Sequence, residues 1–128
     1  MTPPTPDSDP ASYVAAVLIL YVELPDTPMR ASVQDQWQAR RLYDRNVPLR
    51  VVESAFLLAS LRRLVRPDDG PPLSPIRSLA YFLPVIGELL ANPAPDNYLD
   101  YLRLKLRRAS EQRGISADVQ KKASSDDR

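Results

Sequence analysis

The chain has 128 residues, 44% of them apolar and 26% charged, with a formal net charge of +1. This fits one ordinary globular domain with a single core of moderate size. Cysteine and histidine are both absent, which excludes disulfides and thiolate chemistry and removes the commonest general base and nearly all soft metal ligands.

Fourteen prolines against three glycines punctuate the chain in clusters, a pattern that suits helices joined by stiff turns. Residues 1–9 are rich in Pro, Thr, Ser and Asp and read as a disordered lead-in. Residues 10–115 read as a single all-α domain of five helices, and residues 116–128 as a flexible tail.

The first helix is expected from Pro10 to about Leu24. Asp9 is placed to cap it, Pro10 suits a first helical position, and Tyr13, Val14, Val17, Leu18, Tyr21 and Val22 recur at helical spacing. Its β-branched content would also permit a strand, but no second strand is available to pair with it. The apolar run is about a dozen residues and is broken by Glu23. A membrane span needs roughly 20. No basic residue precedes the run, as a signal peptide would require, so the cytoplasm is the expected location.

The second helix is expected from Ser32 to Arg45, with Ser32 and Asp35 in the form of a capping box. Val33, Trp37, an arginine at 40 or 41, and Tyr43 trace an apolar stripe along it. Asn46 follows, a residue that tolerates the left-handed conformation at a helix end. The third helix, from Pro48 to Arg66, is apolar nearly all round and therefore central. Its arginines, Arg62, Arg63 and Arg66, lie in the last turns, where cations complement the dipole.

After a loop rich in Pro, Asp and Gly, the fourth helix is expected to start at Ser74 and Pro75 and run to Ala91. Pro84 lies inside it and predicts a kink or a break. The fifth is expected from Asp96 to Arg113, with Tyr98, Leu99, Tyr101, Leu102, Leu104 and Leu106 inward.

Catalytic groups are sparse. Asp68 and Asp69 are the one adjacent acidic pair in the body of the domain, and a proline-rich loop makes them turn formers. Gly70, Gly87 and Gly114 are too far apart to build a phosphate loop. No enzyme activity, cofactor or metal is expected.

The basic residues say more. Residues 30–113 hold 14 cations, 13 of them arginine, against 9 acids, a net +5, while residues 1–29 carry four acids and no base. Guanidinium groups bond phosphate bidentately and stack on bases. The densest cluster is Arg103, Lys105, Arg107 and Arg108, where 103 and 107 share a helix face beside Tyr101, a residue able to stack on a base. Arginine is equally a routine helix C-terminal residue, and a solvated helix face accounts for the same cluster.

From Ser32 to Leu90 the chain has a Trp-bearing helix, Asn46-Val47-Pro48-Leu49, Val51-Val52-Glu53-Ser54-Ala55, and then Tyr81-Phe82 opening an apolar helix. This resembles the C-terminal helical domain of DnaD-like bacterial replication-initiation proteins. In that family a final Tyr-x-x-x-Ile-x-x-x-Trp helix is implicated in binding DNA and remodelling initiation complexes. Tyr81, Val85 and Leu89 match its spacing, as do Tyr98, Leu102 and Leu106, the latter followed by Arg113-Gly114-Ile115. Both lack the terminal tryptophan, and Asn46 stands where the family has glycine.

The resemblance implies a replication or mobile-element accessory factor of bacterial type. It would contact the DNA backbone through Arg103, Lys105, Arg107 and Arg108, joined by Arg62, Arg63 and Arg66. The alternative is a protein-interaction adaptor, or a self-associating scaffold, anchored on exposed Trp37, Tyr81 or Tyr101 with the arginines as a polar rim.

Overall fold

The computed structural model describes residues 9–66, 70–71 and 73–111. Five α-helices and one 3-10 turn account for the regular structure, and no strand occurs among the described residues. The helices are α1 (Pro10–Val22), α2 (Val33–Asp44), α3 (Leu49–Leu64), α4 (Leu83–Ala91) and α5 (residues 98–111); the 3-10 turn spans Leu79–Phe82. The fold is all-α. Of the expected lead-in only Asp9 is described, and the expected tail lies outside the described residues, as do Asp68, Asp69 and the Arg113-Gly114-Ile115 segment.

α1 begins as its sequence dictates. The Asp9 carboxylate accepts from the Ser12 N–H at 2.9 Å and the Ser12 hydroxyl at 2.7 Å, which holds its pKa below the usual carboxylate value. Tyr13, Val17 and Tyr21 form the buried face at i, i+4 and i+8. The Tyr13 hydroxyl donates to the buried Val47 carbonyl at 2.8 Å, pinning α1 to the turn between α2 and α3. Tyr21 enters an aromatic cluster with Phe56 of α3 and Phe82 of the 3-10 turn, the two phenylalanine rings 4.8 Å apart. All three side chains are buried, and tilted or edge-on ring contacts of this kind add about 0.5–1.5 kcal/mol beyond area burial.

α2 shows the expected capping box in both directions: Asp35 N–H to Ser32 Oγ at 3.1 Å, and Ser32 N–H to Asp35 Oδ2 at 2.9 Å. The expected apolar stripe is corrected. The buried face is Asp35, Ala39 and Leu42, whereas Val33 and Trp37 are exposed on the opposite side. Ala39 and Leu42 carry this face into the core while Asp35 bonds Ser32 and Leu79, and the indole is left outside. The helix stops at Asn46, whose φ of 59° is left-handed. The Val47 N–H reaches back to the Leu42 carbonyl and the Asn46 N–H to that of Tyr43, the paired bonds of a Schellman motif.

α3 is buried along most of its circumference, with Val52, Ala55, Phe56, Leu57 and Ala59 in the core. It packs against α1, α4 and the 3-10 turn. The helix expected from Ser74 starts later. Residues 73–78 are non-helical because their backbone is engaged elsewhere. The Ile76 N–H donates to the Asp26 carbonyl at 2.9 Å, and the Ser74 carbonyl accepts from Arg63 at 2.9 Å. Asp26 turns that loop with a φ of 65°.

Ser78, not Ser74, caps the 3-10 turn, and the chain passes from it into α4 at Leu83. Pro84 therefore occupies the first turn of an α-helix, where its missing N–H has no partner to lose. The break falls before the proline.

Asp35 joins the two halves. Besides closing the α2 box, its Oδ1 accepts from the Leu79 N–H at 2.9 Å in the buried interior. One carboxylate thus caps two helix starts, its own and one whose N–H lies 44 residues further along the chain. Replacing it leaves two donors without an acceptor, one of them buried. We expect Asp35→Ala to lower unfolding free energy by about 3 kcal/mol, and Asp35→Asn by roughly half as much because one carbonyl oxygen survives. Urea unfolding measures both, and losses within 0.5 kcal/mol would contradict the double-cap role.

Burial, with the Asp35 charge adding to it, pushes the Tyr21 hydroxyl up to about 12, whereas an unfolded tyrosine ionises near 10. The folded chain therefore holds a proton that the unfolded chain releases. The associated stability is present in full below pH 10 and declines as pH rises toward 12, by about 2 kcal/mol. No group among the described residues hydrogen-bonds that hydroxyl, so Tyr21→Phe should be neutral to mildly stabilising at pH 7 and should flatten the alkaline decline in urea unfolding.

Candidate nucleic-acid interface

α5 carries the densest expected cluster. The chain enters it through a tight turn, with the Tyr98 N–H bonded to the Pro95 carbonyl and the Tyr101 N–H to that of Asn97. Leu102 is its one fully buried side chain, with Tyr98, Leu99, Leu104 and Leu106 half-buried. Tyr101, expected to face inward, is 52% exposed, because helical spacing that buries Leu102 turns its neighbour outward. Its ring stacks on Tyr98 with centroids 6.1 Å apart, and the Lys105 ammonium sits 5.7 Å from its centre. Tyr101, Lys105 and Arg108 lie at i, i+4 and i+7, one exposed ridge flanked by Arg107.

Arg103 stands apart. Its guanidinium makes a bidentate bond to Glu53 of α3, with contacts down to 2.9 Å, and a longer one to Asp100 at 3.4 Å. Fork-to-fork geometry of this kind is the strongest form of arginine–carboxylate recognition. Arg103 therefore fastens α5 to α3.

The α3 arginines divide in the same way. Arg62 makes a bidentate pair with Glu88 of α4 at 2.8 and 3.1 Å; the Glu88 carboxylate is lowered, and the Arg62 guanidinium raised, by this bond. Both partners are half exposed, so the pair contributes little to stability. Arg63 is different. Its side chain is only 8% exposed, and it donates to the Ser74 carbonyl, the Tyr81 hydroxyl and Asp26 while lying 5.4 Å over the Tyr81 ring. It is a structural clamp holding two loops to the end of α3. Arg66 is half-buried and makes no ion pair among the described residues. Of the seven basic residues singled out in the sequence, three are thus committed internally. Lys105, Arg107 and Arg108 remain together on α5, with no acidic partner among the described residues.

The aromatic anchors separate too. Tyr81 is engaged by Arg63 and packs edge-on against Phe82 at 5.2 Å. Trp37 is 65% exposed on α2, with Val33 one turn before it and Arg40 and Arg41 one turn after; Arg40 is paired with Asp44 at 3.0 Å and lies over Tyr43. In both candidate motif triplets the middle residue, Val85 or Leu102, is a core side chain.

The acids that decide this sorting, Asp26, Glu53 and Glu88, were missed in the sequence. Each lies on a different element from the arginine it holds, so helical spacing carries no sign of the pairing.

Comparison with family models, with characterised proteins and with solved structures finds no match. Among the described residues no group of three acidic side chains is placed to hold a metal, and no helix is long and apolar enough to cross a membrane.

The clamp and the open ridge predict different mutational costs. Arg63→Ala should lower unfolding free energy by about 1–2 kcal/mol, since it removes a nearly buried side chain that ties Asp26, Ser74 and Tyr81 to the end of α3. Arg107→Ala and Arg108→Ala should stay within about 0.5 kcal/mol. Thermal or urea unfolding distinguishes them.

Proposed function

We propose that the chain is a non-catalytic DNA-associated helical module that contacts the nucleic-acid backbone through Lys105, Arg107 and Arg108, with Tyr101 beside them as a stacking surface. The observation that carries this reading is the uncompensated charge on the α5 ridge: three cations without an acidic partner among the described residues, around an exposed ring. Arg62, Arg63 and Arg103 are left out because internal carboxylates already hold them. The resemblance to DnaD-like replication-initiation proteins supplies the context of a replication or mobile-element accessory factor. With no histidine or cysteine in the chain, binding suits its chemistry better than catalysis.

Three cations on phosphate make a modest, salt-sensitive contact. The slope of log affinity against log salt for duplex DNA should be about −2.7, from roughly 0.9 counterions released per neutralised phosphate. Anisotropy of labelled duplex and single-stranded DNA across a salt series measures it. Arg107→Glu with Arg108→Glu should abolish binding, whereas Arg62→Gln should leave it within about twofold. Absence of binding at low salt would overturn the reading.

The exposed indole supports a second one, an interaction surface on α2. Trp beside Arg and an apolar residue is the composition of an interface hot spot. If the surface serves self-association, sedimentation velocity should show a dimer whose dissociation constant rises about tenfold or more with Trp37→Ala.

A further inference from the structure

Beside the first turns of α3, the last turn of α4 and the entry to α5 lies an open cleft of about 300 Å³, at the lower end of the roughly 300–1,000 Å³ typical of small-molecule sites. Its walls are apolar: Val51 from α3, Leu89 and Leu90 from α4, Tyr98 and Leu99 from α5. This placement accounts for Leu90, which is otherwise an exposed leucine at the end of a helix.

Two opposite charges stand at the rim. The Arg50 guanidinium lies 3.5 Å from the Asp96 carboxylate, with side chains 70% and 101% exposed. At that distance they attract without a hydrogen bond, and a solvated pair of this kind contributes almost nothing. Arg50 is thus a cation at the mouth of an apolar cleft, held by a partner that any better-placed anion can replace.

The start of α3 tips the balance of sign. Pro48 occupies its cap position, no side chain caps it, and Pro48 and Arg50 both line the cleft. The positive end of a 16-residue helix therefore reinforces Arg50 in favouring an anionic group. Asp96, wholly in water, offers a cation no comparable support.

We propose that this cleft binds a small amphipathic monocarboxylate, its hydrocarbon body against Val51, Leu89, Leu90, Tyr98 and Leu99 and its carboxylate on Arg50 in place of Asp96. None of the ridge cations lines the cleft, which meets the ridge only where Tyr98 stacks on Tyr101.

Octanoate is the probe, titrated into the ¹⁵N-labelled protein with amide shifts followed by NMR. Saturable shifts confined to the first turns of α3, the end of α4 and the entry to α5 are expected. Hexanoate should bind about tenfold more weakly, from two fewer buried methylenes, and octanol and octylamine more weakly still.

Arg50 and Asp96 are both exposed, so substitution there leaves the fold intact, and the two variants should act in opposite directions. Arg50→Ala should weaken octanoate at least fivefold. Asp96→Ala should strengthen it two- to fivefold by removing the competitor. Four outcomes would overturn the proposal: no saturation at millimolar octanoate in either the parent or Asp96→Ala; equal binding of octanol; affinity unmoved by Arg50→Ala; or self-association through the cleft without octanoate binding.

Discussion

The buried Asp35 carboxylate is the constraint on which the rest of the architecture turns. A charge removed from water is tolerable only where donors replace the lost hydration, and here backbone N–H groups from two separate helix starts do so. Satisfying the acid fixes α2 and the 3-10 turn relative to each other. The 3-10 turn in turn carries Phe82 into contact with Phe56 and Tyr21. The aromatic core is therefore placed by a polar contact as much as by burial of apolar area.

Charge is distributed by the same economy. A basic excess in the helical body suggests a broad positive surface, yet the fold pairs the arginines of α3 and α5 with acids drawn from other elements. Arg62 joins α3 to α4, Arg103 joins α5 to α3, and Arg63 holds two loops at once. On α5 the cations left without an ion pair among the described residues, Lys105, Arg107 and Arg108, share one ridge.

What was legible in the sequence was whatever depends on neighbours in the chain. The Asp9 cap, the Ser32–Asp35 box, the left-handed Asn46, the central α3 and the five-helix count all follow from signals within a few residues of one another. Pro84 marked a break, but the sequence could not say on which side, because that depended on Ile76 and Ser74 finding partners in the Asp26 loop and in Arg63. The α2 face was misassigned for a related reason: Trp37 is the largest side chain there, yet Ala39 and Leu42 are the ones that enter the core. The same distance effect hid the cleft, which is assembled from the ends of three helices.

Among the described residues, α5 is held by one fully buried leucine, four half-buried apolar side chains and a bidentate ion pair to α3. A terminal element with a single fully buried side chain is of the kind that opens locally at a free energy below that of global unfolding. Added salt screens the Arg103–Glu53 fastening as well as any anion on the ridge. Ionic strength therefore acts twice on this helix, once on what it touches and once on how firmly it is presented.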